Sequence, residues 1–254
     1  MNAKSFLINN SPYNIRCLMY SKEAGLHHYG RIAICCHGFG GSKESSSIRR
    51  FAEYMLAKYK DLAILTFDWP CHGEDVRKKL TLEDCDTYLG MVINFAKTEY
   101  GAESLYLYAT SFGGYLSLKY IAEHGSPFVC CAFRCPAVNM FDILDSDVMT
   151  EHDHELIAKG KTAMLGFETK VPVTGQLLES IRNADLFGFD YRKYAEDMVI
   201  VQGSKDELVM PAKAAEFAER NGIDFIMVEG ADHTFHNPNY MTEAILYIET
   251  LFDL

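Results

Sequence analysis

The stretch Leu105-Tyr-Leu-Tyr-Ala-Thr-Ser111-Phe-Gly-Gly-Tyr-Leu116 joins an apolar run to a helical segment through a turn of small residues. A side chain can be exposed on such a strained turn only if the residues two positions before and after it lack bulk. Ala109 and Gly113 meet this requirement around Ser111. A helix that begins near Phe112 also directs its free N–H groups at the turn, where a negative oxygen can bind. The pattern predicts a nucleophilic serine, the simpler alternative being a serine that only caps the helix.

Short apolar runs alternate with amphipathic segments along most of the chain. Runs of about five to seven residues, bounded by turn-forming residues, are typical of strands buried on both faces of a parallel sheet. The first two flank Asn10-Ser-Pro12, which favours an antiparallel hairpin. The sequence therefore predicts an α/β fold with a mostly parallel eight-stranded sheet flanked by helices. The predicted strands are Phe6–Asn9, Ile15–Tyr20, Arg31–Cys36, Leu62–Phe67, Leu105–Ala109, Phe128–Phe133, Met198–Gln202 and Phe225–Val228.

One long segment breaks this alternation. Between Cys135 and Met198 the sequence has amphipathic pieces rich in methionine, phenylalanine and leucine, but no clear strand. Connections of this length are usually functional and often form lids. We therefore expect a helical cap inserted after the sixth strand, over residues 137–194, and a core formed by residues 1–136 and 195–254.

Two later segments end in residues that could activate a serine hydroxyl. Asp206 follows the seventh predicted strand and a glycine turn, and His233 follows the eighth. A serine becomes nucleophilic when a histidine takes its proton and an acid orients that histidine. The carboxyl ends of parallel strands meet at one rim, so Ser111, Asp206 and His233 are predicted to converge in a catalytic triad. Asp232 and Asp142 are the alternatives for the acid.

The loop after the third predicted strand reads Cys35-Cys-His-Gly-Phe-Gly-Gly41. Its glycines allow backbone N–H groups to approach a ligand closely. By its position, the Phe39 N–H is predicted to form an oxyanion hole together with the Phe112 N–H, so that both donate to the same oxygen. We expect His37 to hold this loop through a side-chain hydrogen bond, with a catalytic or metal-binding role as the alternative.

Together these motifs resemble the α/β-hydrolases of the esterase/lipase type, a group that includes monoglyceride lipases, feruloyl or cinnamoyl esterases and serine aminopeptidase-like hydrolases. The similarity extends over nearly the whole chain and rests, in order, on His37–Gly40, Phe67–Gly73, Ala109–Gly114, Gly203–Asp206 and His233. The roles that it implies are nucleophile, acid, base and first oxyanion donor for Ser111, Asp206, His233 and Phe39.

Two positions depart from the pattern of this group. Ala109 stands in place of the first glycine of G-x-S-x-G, a methyl group that an ordinary strand conformation tolerates. Cys71 stands in place of the first glycine of D-x-x-G-H-G. For the segment around Cys71, the resemblance implies a structural loop rather than a part in catalysis.

The predicted triad and the resemblance favour a serine hydrolase, most simply a carboxylesterase. Such an enzyme cleaves carboxylic esters through an acyl-enzyme. The alternatives are a peptidase or amidase on the same triad, and a catalytically silent member of the fold that acts as a binding protein. The composition of the predicted cap indicates a moderately small, partly apolar acyl group.

Composition disfavours several other classes of function. The chain has 254 residues, with 24 Lys plus Arg against 35 Asp plus Glu and a formal charge of −11, which disfavours nucleic-acid partners. No apolar run is long enough for a signal peptide or a membrane span, so a cytoplasmic location is expected. The eight cysteines lie mostly in apolar segments and are expected to be reduced, buried thiols.

Cofactor and metal motifs are weak in this sequence. It contains neither G-x-G-x-x-G nor a P-loop, and it has no C-x-x-C pair, so we expect no cofactor and no metal. The run Glu151–His154 is expected to be a solvated face of the cap. The expected partner is a small-molecule ester, and the formation of a homo-oligomer is left open.

Overall fold

The computed structural model describes residues 1–23, 25, 28–166 and 169–253. Its strands are β1 (Asn2–Asn10), β2 (Tyr13–Ser21), β3 (Arg31–Cys36), β4 (Leu62–Phe67), β5 (Ser104–Thr110), β6 (Cys130–Arg134), β7 (Ala163–Leu165), β8 (Val171–Val173), β9 (Met198–Gly203) and β10 (Asp224–Val228). All eight predicted strands are present and form one eight-stranded sheet in the order β1-β2-β4-β3-β5-β6-β9-β10. The remaining two, β7 and β8, form a separate antiparallel ribbon.

The main sheet is mostly parallel, which confirms the predicted fold class. β1 pairs antiparallel with β2, and β2 pairs antiparallel with β4, whereas the other neighbouring strands are parallel. Ala109 of β5 lies between Cys36 of β3 and Phe133 of β6. This register aligns the carboxyl ends of the central strands at one rim, where the loops that follow them come together.

Helices lie on both faces of the sheet. They are α1 (Ser46–Lys58), α2 (Leu82–Thr98), α3 (Phe112–His124), α4 (Met140–Asp142), α5 (Glu151–Ala158), α6 (Gly175–Asn183), α7 (Pro211–Asn221) and α8 (Pro238–Phe252). Successive strand residues point to opposite faces. In β3, Ile32 and Ile34 are therefore buried with side chains from α2 and α3, whereas Ala33 and Cys35 are buried with side chains from α1 and α8.

The segment between β6 and β9 contains the region predicted to be a helical cap. It is largely helical: α4 continues into a π-helical turn over Ile143–Val148, and α5, α6 and two 3₁₀ turns follow at Leu186–Gly188 and Arg192–Asp197. It also contains the β7–β8 ribbon, which was not predicted from the sequence. A strand of three residues is too short to show an alternating pattern. The limits 137–194 of the cap stay a prediction.

Apolar side chains of this segment pack into the main core. Ala163, Leu165, Val171 and Val173 of the ribbon are buried in the same cluster as side chains of α2 and α3. Met164 lies between two of these buried residues and is 50% exposed, so it is on the outer face of the ribbon. The ribbon thus buries one face in this shared apolar cluster and exposes Met164 on the other.

Two further expectations concern the cysteines and membrane spans. The eight cysteines are free thiols; seven are buried, and Cys71 is half-buried. Burial raises the pKa of the Cys36 and Cys71 thiols to about 12, so these groups stay protonated at neutral pH.

In the part of the chain that the structure describes, every helix is too short or too polar to cross a membrane.

Candidate active site

Ser111 occupies the turn between β5 and α3, where the backbone is strained. Its φ of 50° lies in the left-handed region, which residues other than glycine rarely adopt. The Ser111 N–H donates to the Arg134 carbonyl at 3.1 Å, and the Ser111 carbonyl accepts from the Ala137 N–H at 3.1 Å. The last residue of β6 and the loop that follows it therefore hold both the N–H and the carbonyl of Ser111.

Close backbone contacts explain the small residues around Ser111. A Cβ atom on Gly113 would lie 2.6 Å from the His37 carbonyl oxygen and 2.7 Å from that of Cys36. Ala109 is a regular residue of β5, buried and paired with the strands on both sides. The methyl group that departs from the G-x-S-x-G pattern is therefore accommodated within the sheet.

The structure brings His233 and Asp206 to Ser111. The His233 Nε2 atom lies 3.0 Å from Ser111 Oγ, and its Nδ1 atom lies 2.8 Å from Asp206 Oδ2. Both are hydrogen-bond distances, so the imidazole stands between the hydroxyl and the carboxylate. The His233 side chain is 19% exposed, whereas the Asp206 side chain is fully enclosed. A molecule in solvent can thus reach the histidine but not the acid.

The buried Asp206 carboxylate has hydrogen-bond donors on both oxygens. Oδ1 accepts from the N–H groups of Leu208 at 3.0 Å and Val209 at 2.8 Å. Oδ2 accepts from Gln202 Nε2 at 2.8 Å and also faces His233. Burial opposes ionisation, but the contacts with His233 and Val209 hold the pKa of Asp206 below its ordinary value. The carboxylate is therefore charged at neutral pH and can orient the imidazole.

The two other acids considered from the sequence have different surroundings. Asp232 accepts from the His236 N–H at 3.1 Å, and its Oδ2 atom lies 2.9 Å from His236 Nδ1. Asp142 is exposed in α4. Of the three candidate acids, Asp206 is the one whose carboxylate lies within hydrogen-bond distance of His233.

The loop after β3 passes directly over the serine. A Cβ atom on Gly38 would lie 3.2 Å from Ser111 Cβ, which leaves little room for a side chain. Phe39 follows on this loop, and its ring meets that of Phe112 edge-on, with the centroids 5.5 Å apart. Among the described residues, no oxygen accepts a hydrogen bond from the N–H of either phenylalanine. Both amides can thus donate to an oxygen of a ligand.

His37 supports this loop from inside the protein. Its Nδ1 atom lies 2.8 Å from the Gly38 carbonyl oxygen, and its Nε2 atom lies 3.3 Å from the Trp69 backbone nitrogen. Burial lowers the pKa of His37 to about 3, and the neighbouring His72 contributes. A neutral ring with its proton on Nδ1 donates to Gly38 and accepts from Trp69. The side chain therefore holds the loop, as expected from the sequence.

A buried ion pair fixes the far end of the same loop. Lys43 Nζ lies 3.2 Å from Asp68 Oδ2 and 2.6 Å from Glu74 Oε2, and the Lys43 N–H donates to Asp68 Oδ1 at 2.7 Å. The Lys43 side chain is 3% exposed, and that of Asp68 is fully buried. This pair could not be recognised in the sequence, because its members are 25 residues apart and no motif marks the lysine.

The Asp68–Gly73 loop shows how Cys71 replaces a glycine. Cys71 has a φ of 65°, a conformation that glycine adopts without strain and other residues do not. Its N–H donates to Asp75 Oδ1 at 2.9 Å, which helps to hold the loop. A Cβ atom on Gly73 would overlap the Asp68 carboxylate. These contacts describe a structural support for the loop that carries Phe39.

Two neighbours of Ser111 and His233 were missed in the sequence. Arg134, the last residue of β6, donates from Nη1 to the His233 carbonyl at 2.8 Å. Cys135 follows it, and its Sγ atom lies within 4.8 Å of ligand atoms of Asp206 and His233, a set that could hold a metal ion. No motif marks either residue, and the one available signal is that both lie just after the sixth predicted strand, Phe128–Phe133.

Comparison with known proteins identifies the family. A family model described as "Alpha/beta hydrolase family" matches residues 33–244, which is most of the chain. The chain belongs to the α/β-hydrolase family. This assignment confirms the resemblance stated from the sequence motifs. No curated protein sequence matches the chain at a significant level.

Solved structures share the α/β-hydrolase fold at low sequence identity. Est1E from Butyrivibrio proteoclasticus is 16% identical, with a TM-score of 0.75 over 98% of this chain and 99% of its own. Alpha/beta hydrolase domain-containing protein 10 from mouse is 15% identical, with a TM-score of 0.70 over 98% of each chain. A monoacylglycerol lipase from Paleococcus ferrophilus is 15% identical, with a TM-score of 0.65 over 94% of this chain and 98% of its own. At these identities the likeness is one of fold.

The close packing at the serine turn predicts different outcomes for two small substitutions. Gly113→Ala should lower the free energy of unfolding by about 1–3 kcal/mol, because the added methyl group meets two carbonyl oxygens. Ala109→Gly, which restores the usual motif, should lower it by only about 0.5–1 kcal/mol through the entropy of the unfolded chain. Urea unfolding followed by circular dichroism measures both. Wild-type stability in Gly113→Ala would contradict the packing described around the turn.

The buried Lys43–Asp68 pair predicts a large loss of stability when only its cation is removed. Lys43→Met should lower the free energy of unfolding by about 3–5 kcal/mol, since the Asp68 carboxylate then stays buried without its counter-ion. Arg192→Met is the control, because it removes an exposed ion pair with Asp190 and should leave stability nearly unchanged. Equal urea midpoints for the two variants would show that the buried pair contributes nothing.

Proposed function

We propose that this protein is a serine hydrolase that cleaves carboxylic esters through an acyl-enzyme. The proposal is carried by one continuous line of contacts: Asp206 Oδ2 to His233 Nδ1 at 2.8 Å, and His233 Nε2 to Ser111 Oγ at 3.0 Å. A weakly acidic hydroxyl becomes a nucleophile through this arrangement. Membership of the α/β-hydrolase family supports the same reaction class.

The first half of the reaction forms the acyl-enzyme. Ser111 Oγ attacks the ester carbonyl carbon while His233 Nε2 takes the hydroxyl proton, and the carbonyl electrons move onto its oxygen. The tetrahedral intermediate then collapses and expels the alcohol, which receives the proton from His233. Asp206 stabilises the charged imidazole, because its carboxylate is ionised and held by Gln202 and two backbone amides.

The negative oxygen of the intermediate needs hydrogen-bond donors beside Ser111. The N–H groups of Phe39 and Phe112 fit this role, since they have no acceptor among the described residues and the Phe39 loop crosses the serine. Donors of this kind typically contribute about 10²–10³ in rate. The dipole at the start of α3 favours the same oxygen.

Water completes the reaction on the same residues. His233, neutral again after the alcohol leaves, takes a proton from a water molecule whose oxygen attacks the acyl carbonyl. The second tetrahedral intermediate collapses, the carboxylic acid departs, and Ser111 recovers its proton from His233. The 19% exposure of the His233 side chain leaves room for this water to approach.

The substrate is a small-molecule ester with a moderately small, partly apolar acyl group. The half-buried Phe39 ring packs on the ring of Phe112, the residue after the serine, and supplies apolar surface there. One structure of Est1E, at 16% identity, contains bound ferulic acid. We therefore include aromatic acyl groups, as well as straight chains of increasing length, among the esters that test the proposal.

Replacement of the nucleophile is the direct test. The wild-type protein should release p-nitrophenolate from p-nitrophenyl esters, and Ser111→Ala should lower kcat by about 10⁴-fold or more. A fluorophosphonate probe should label the wild-type protein at Ser111 and leave the variant unlabelled. Undiminished turnover by Ser111→Ala would refute the role of this residue.

A matched pair of acids tests the third member of the triad. Asp206→Asn should lower kcat by about 10⁴-fold, because the histidine loses the carboxylate that orients it. Asp232→Asn is the control, since Asp232 adjoins His233 in sequence but bonds to His236. This variant should keep nearly wild-type kcat, and the reverse ranking of the two would reassign the acid.

The same triad can cleave amides, because esters and amides pass through similar tetrahedral intermediates. A p-nitrophenyl ester and a p-nitroanilide with the same acyl group separate the two activities. Turnover of the ester without detectable cleavage of the anilide supports the proposal, whereas efficient cleavage of the anilide indicates a peptidase or amidase. Failure of both, together with no fluorophosphonate labelling, indicates a silent member of the fold that binds a ligand.

A further inference from the structure

Arg134 is a buried cation beside the triad, and its described partners are neutral groups. The residue is 5% exposed at the end of β6. Its Nε atom donates to the Tyr108 hydroxyl at 3.2 Å, and its Nη1 atom donates to the His233 carbonyl at 2.8 Å. The guanidinium carbon lies 4.9 Å from the centre of the Phe235 ring. A charge buried without a direct counter-ion is unfavourable, so its presence next to a reactive group points to function.

These contacts hold the turn that carries His233. The Nη1 atom binds the main chain at His233 itself, and the aromatic ring two residues later packs on the guanidinium. Phe235 has a φ of 55°, a conformation that a bulky residue adopts only where its surroundings impose it. The guanidinium packs on the ring of this strained residue.

Arg134 also connects this turn to the nucleophile. Its carbonyl oxygen accepts from the Ser111 N–H at 3.1 Å, so one residue contacts the main chain of both Ser111 and His233. The planar guanidinium has donors in fixed directions, which a flexible ammonium group lacks. The position of the base relative to the hydroxyl therefore depends on the geometry of this side chain.

The charge on Arg134 is maintained inside the protein. Burial opposes it, but the Tyr108 hydroxyl and the nearby Asp206 carboxylate raise the pKa of Arg134 above its ordinary value. Asp206 thus supplies a compensating negative charge without a direct contact. The donors of the guanidinium remain in place over the whole pH range in which a histidine base works.

We propose that Arg134 is a positioning residue for His233. Its guanidinium fixes the His233–Phe235 turn against the end of β6, so that His233 Nε2 faces the Ser111 hydroxyl. This inference rests on the proposed function, because it assigns a role in the same reaction. Loss of the guanidinium is then expected to slow the chemical step more than it weakens substrate binding.

The decisive variant is Arg134→Met, which keeps a long side chain but removes the donors. The kcat for p-nitrophenyl esters should fall by about 10²-fold while KM changes by less than about threefold, because the base is misplaced and the acyl site is not. The rate of fluorophosphonate labelling should fall in parallel. Arg134→Lys keeps the charge but not the two fixed donors, so it should lose less kcat than Arg134→Met and still not match the wild-type protein.

Arg31→Met is the matched control. Arg31 is also a terminal residue of a strand, and it donates from Nε to Asp61 at 2.9 Å. It is the first residue of β3, however, and therefore lies at the opposite rim of the sheet from Arg134. This variant should keep wild-type kcat and KM. Thermal unfolding of each variant shows whether a change in kcat is local to the site.

The outcomes separate the two proposals. A folded Arg134→Met variant whose kcat stays within about twofold of wild type would overturn the positioning role. If Arg134→Met does not fold, Arg134→Lys decides: wild-type kcat overturns the role, and a reduced kcat at unchanged KM supports it. A wild-type protein that neither cleaves esters nor reacts with fluorophosphonate refutes the proposed function itself, and the positioning role with it.

Discussion

The strained main chain at Ser111 is the constraint on which the site depends. A residue other than glycine at a φ of 50° costs about 1–3 kcal/mol and persists only where its neighbours leave no alternative. Those neighbours are the Arg134 carbonyl and the Ala137 N–H, which bond to its peptide groups, and the close approach of Gly113 to the end of β3. Once this turn is fixed, the hydroxyl stands at the rim of the sheet, and the other loops are arranged around it.

Parallel pairing determines which loops can reach the hydroxyl. Strands β3, β5, β6 and β9 are consecutive neighbours, so the loops that carry Phe39, Ser111 and Asp206 leave the sheet beside the end of β6, where Arg134 lies. The edge strand β10 adds His233, which lies 122 residues from Ser111 in sequence and 3.0 Å from it in space. The order of the strands thus brings the loops of Ser111, Asp206 and His233 to the same rim of the sheet, and a short turn in each loop is enough to bring the side chains into contact.

Much of this arrangement can be predicted from the sequence because it depends on local patterns. The eight strands of the sheet are short apolar runs that end at turn-forming residues, and Ser111, Asp206 and His233 follow three of them. The β7–β8 ribbon could not be predicted, since strands of three residues have no periodicity of their own. Lys43 and Arg134 were missed for another reason: their partners are distant in sequence, and a single buried cation forms no motif.

Ala109 and Cys71 replace glycines of two family motifs. At these positions the backbone conformation shows better than the residue type whether the replacement is tolerated. Ala109 replaces a glycine at a position with regular strand pairing, so its methyl group only occupies space in the sheet. Cys71 replaces a glycine at a φ of 65°, where a side chain is strained, and hydrogen bonding of its N–H to Asp75 opposes that strain. Replacing glycine therefore has no conformational cost at Ala109, whereas it has one at Cys71. At both positions the backbone conformation is kept although glycine is replaced. The position of the Ser111 hydroxyl depends on that conformation and not on the presence of a glycine.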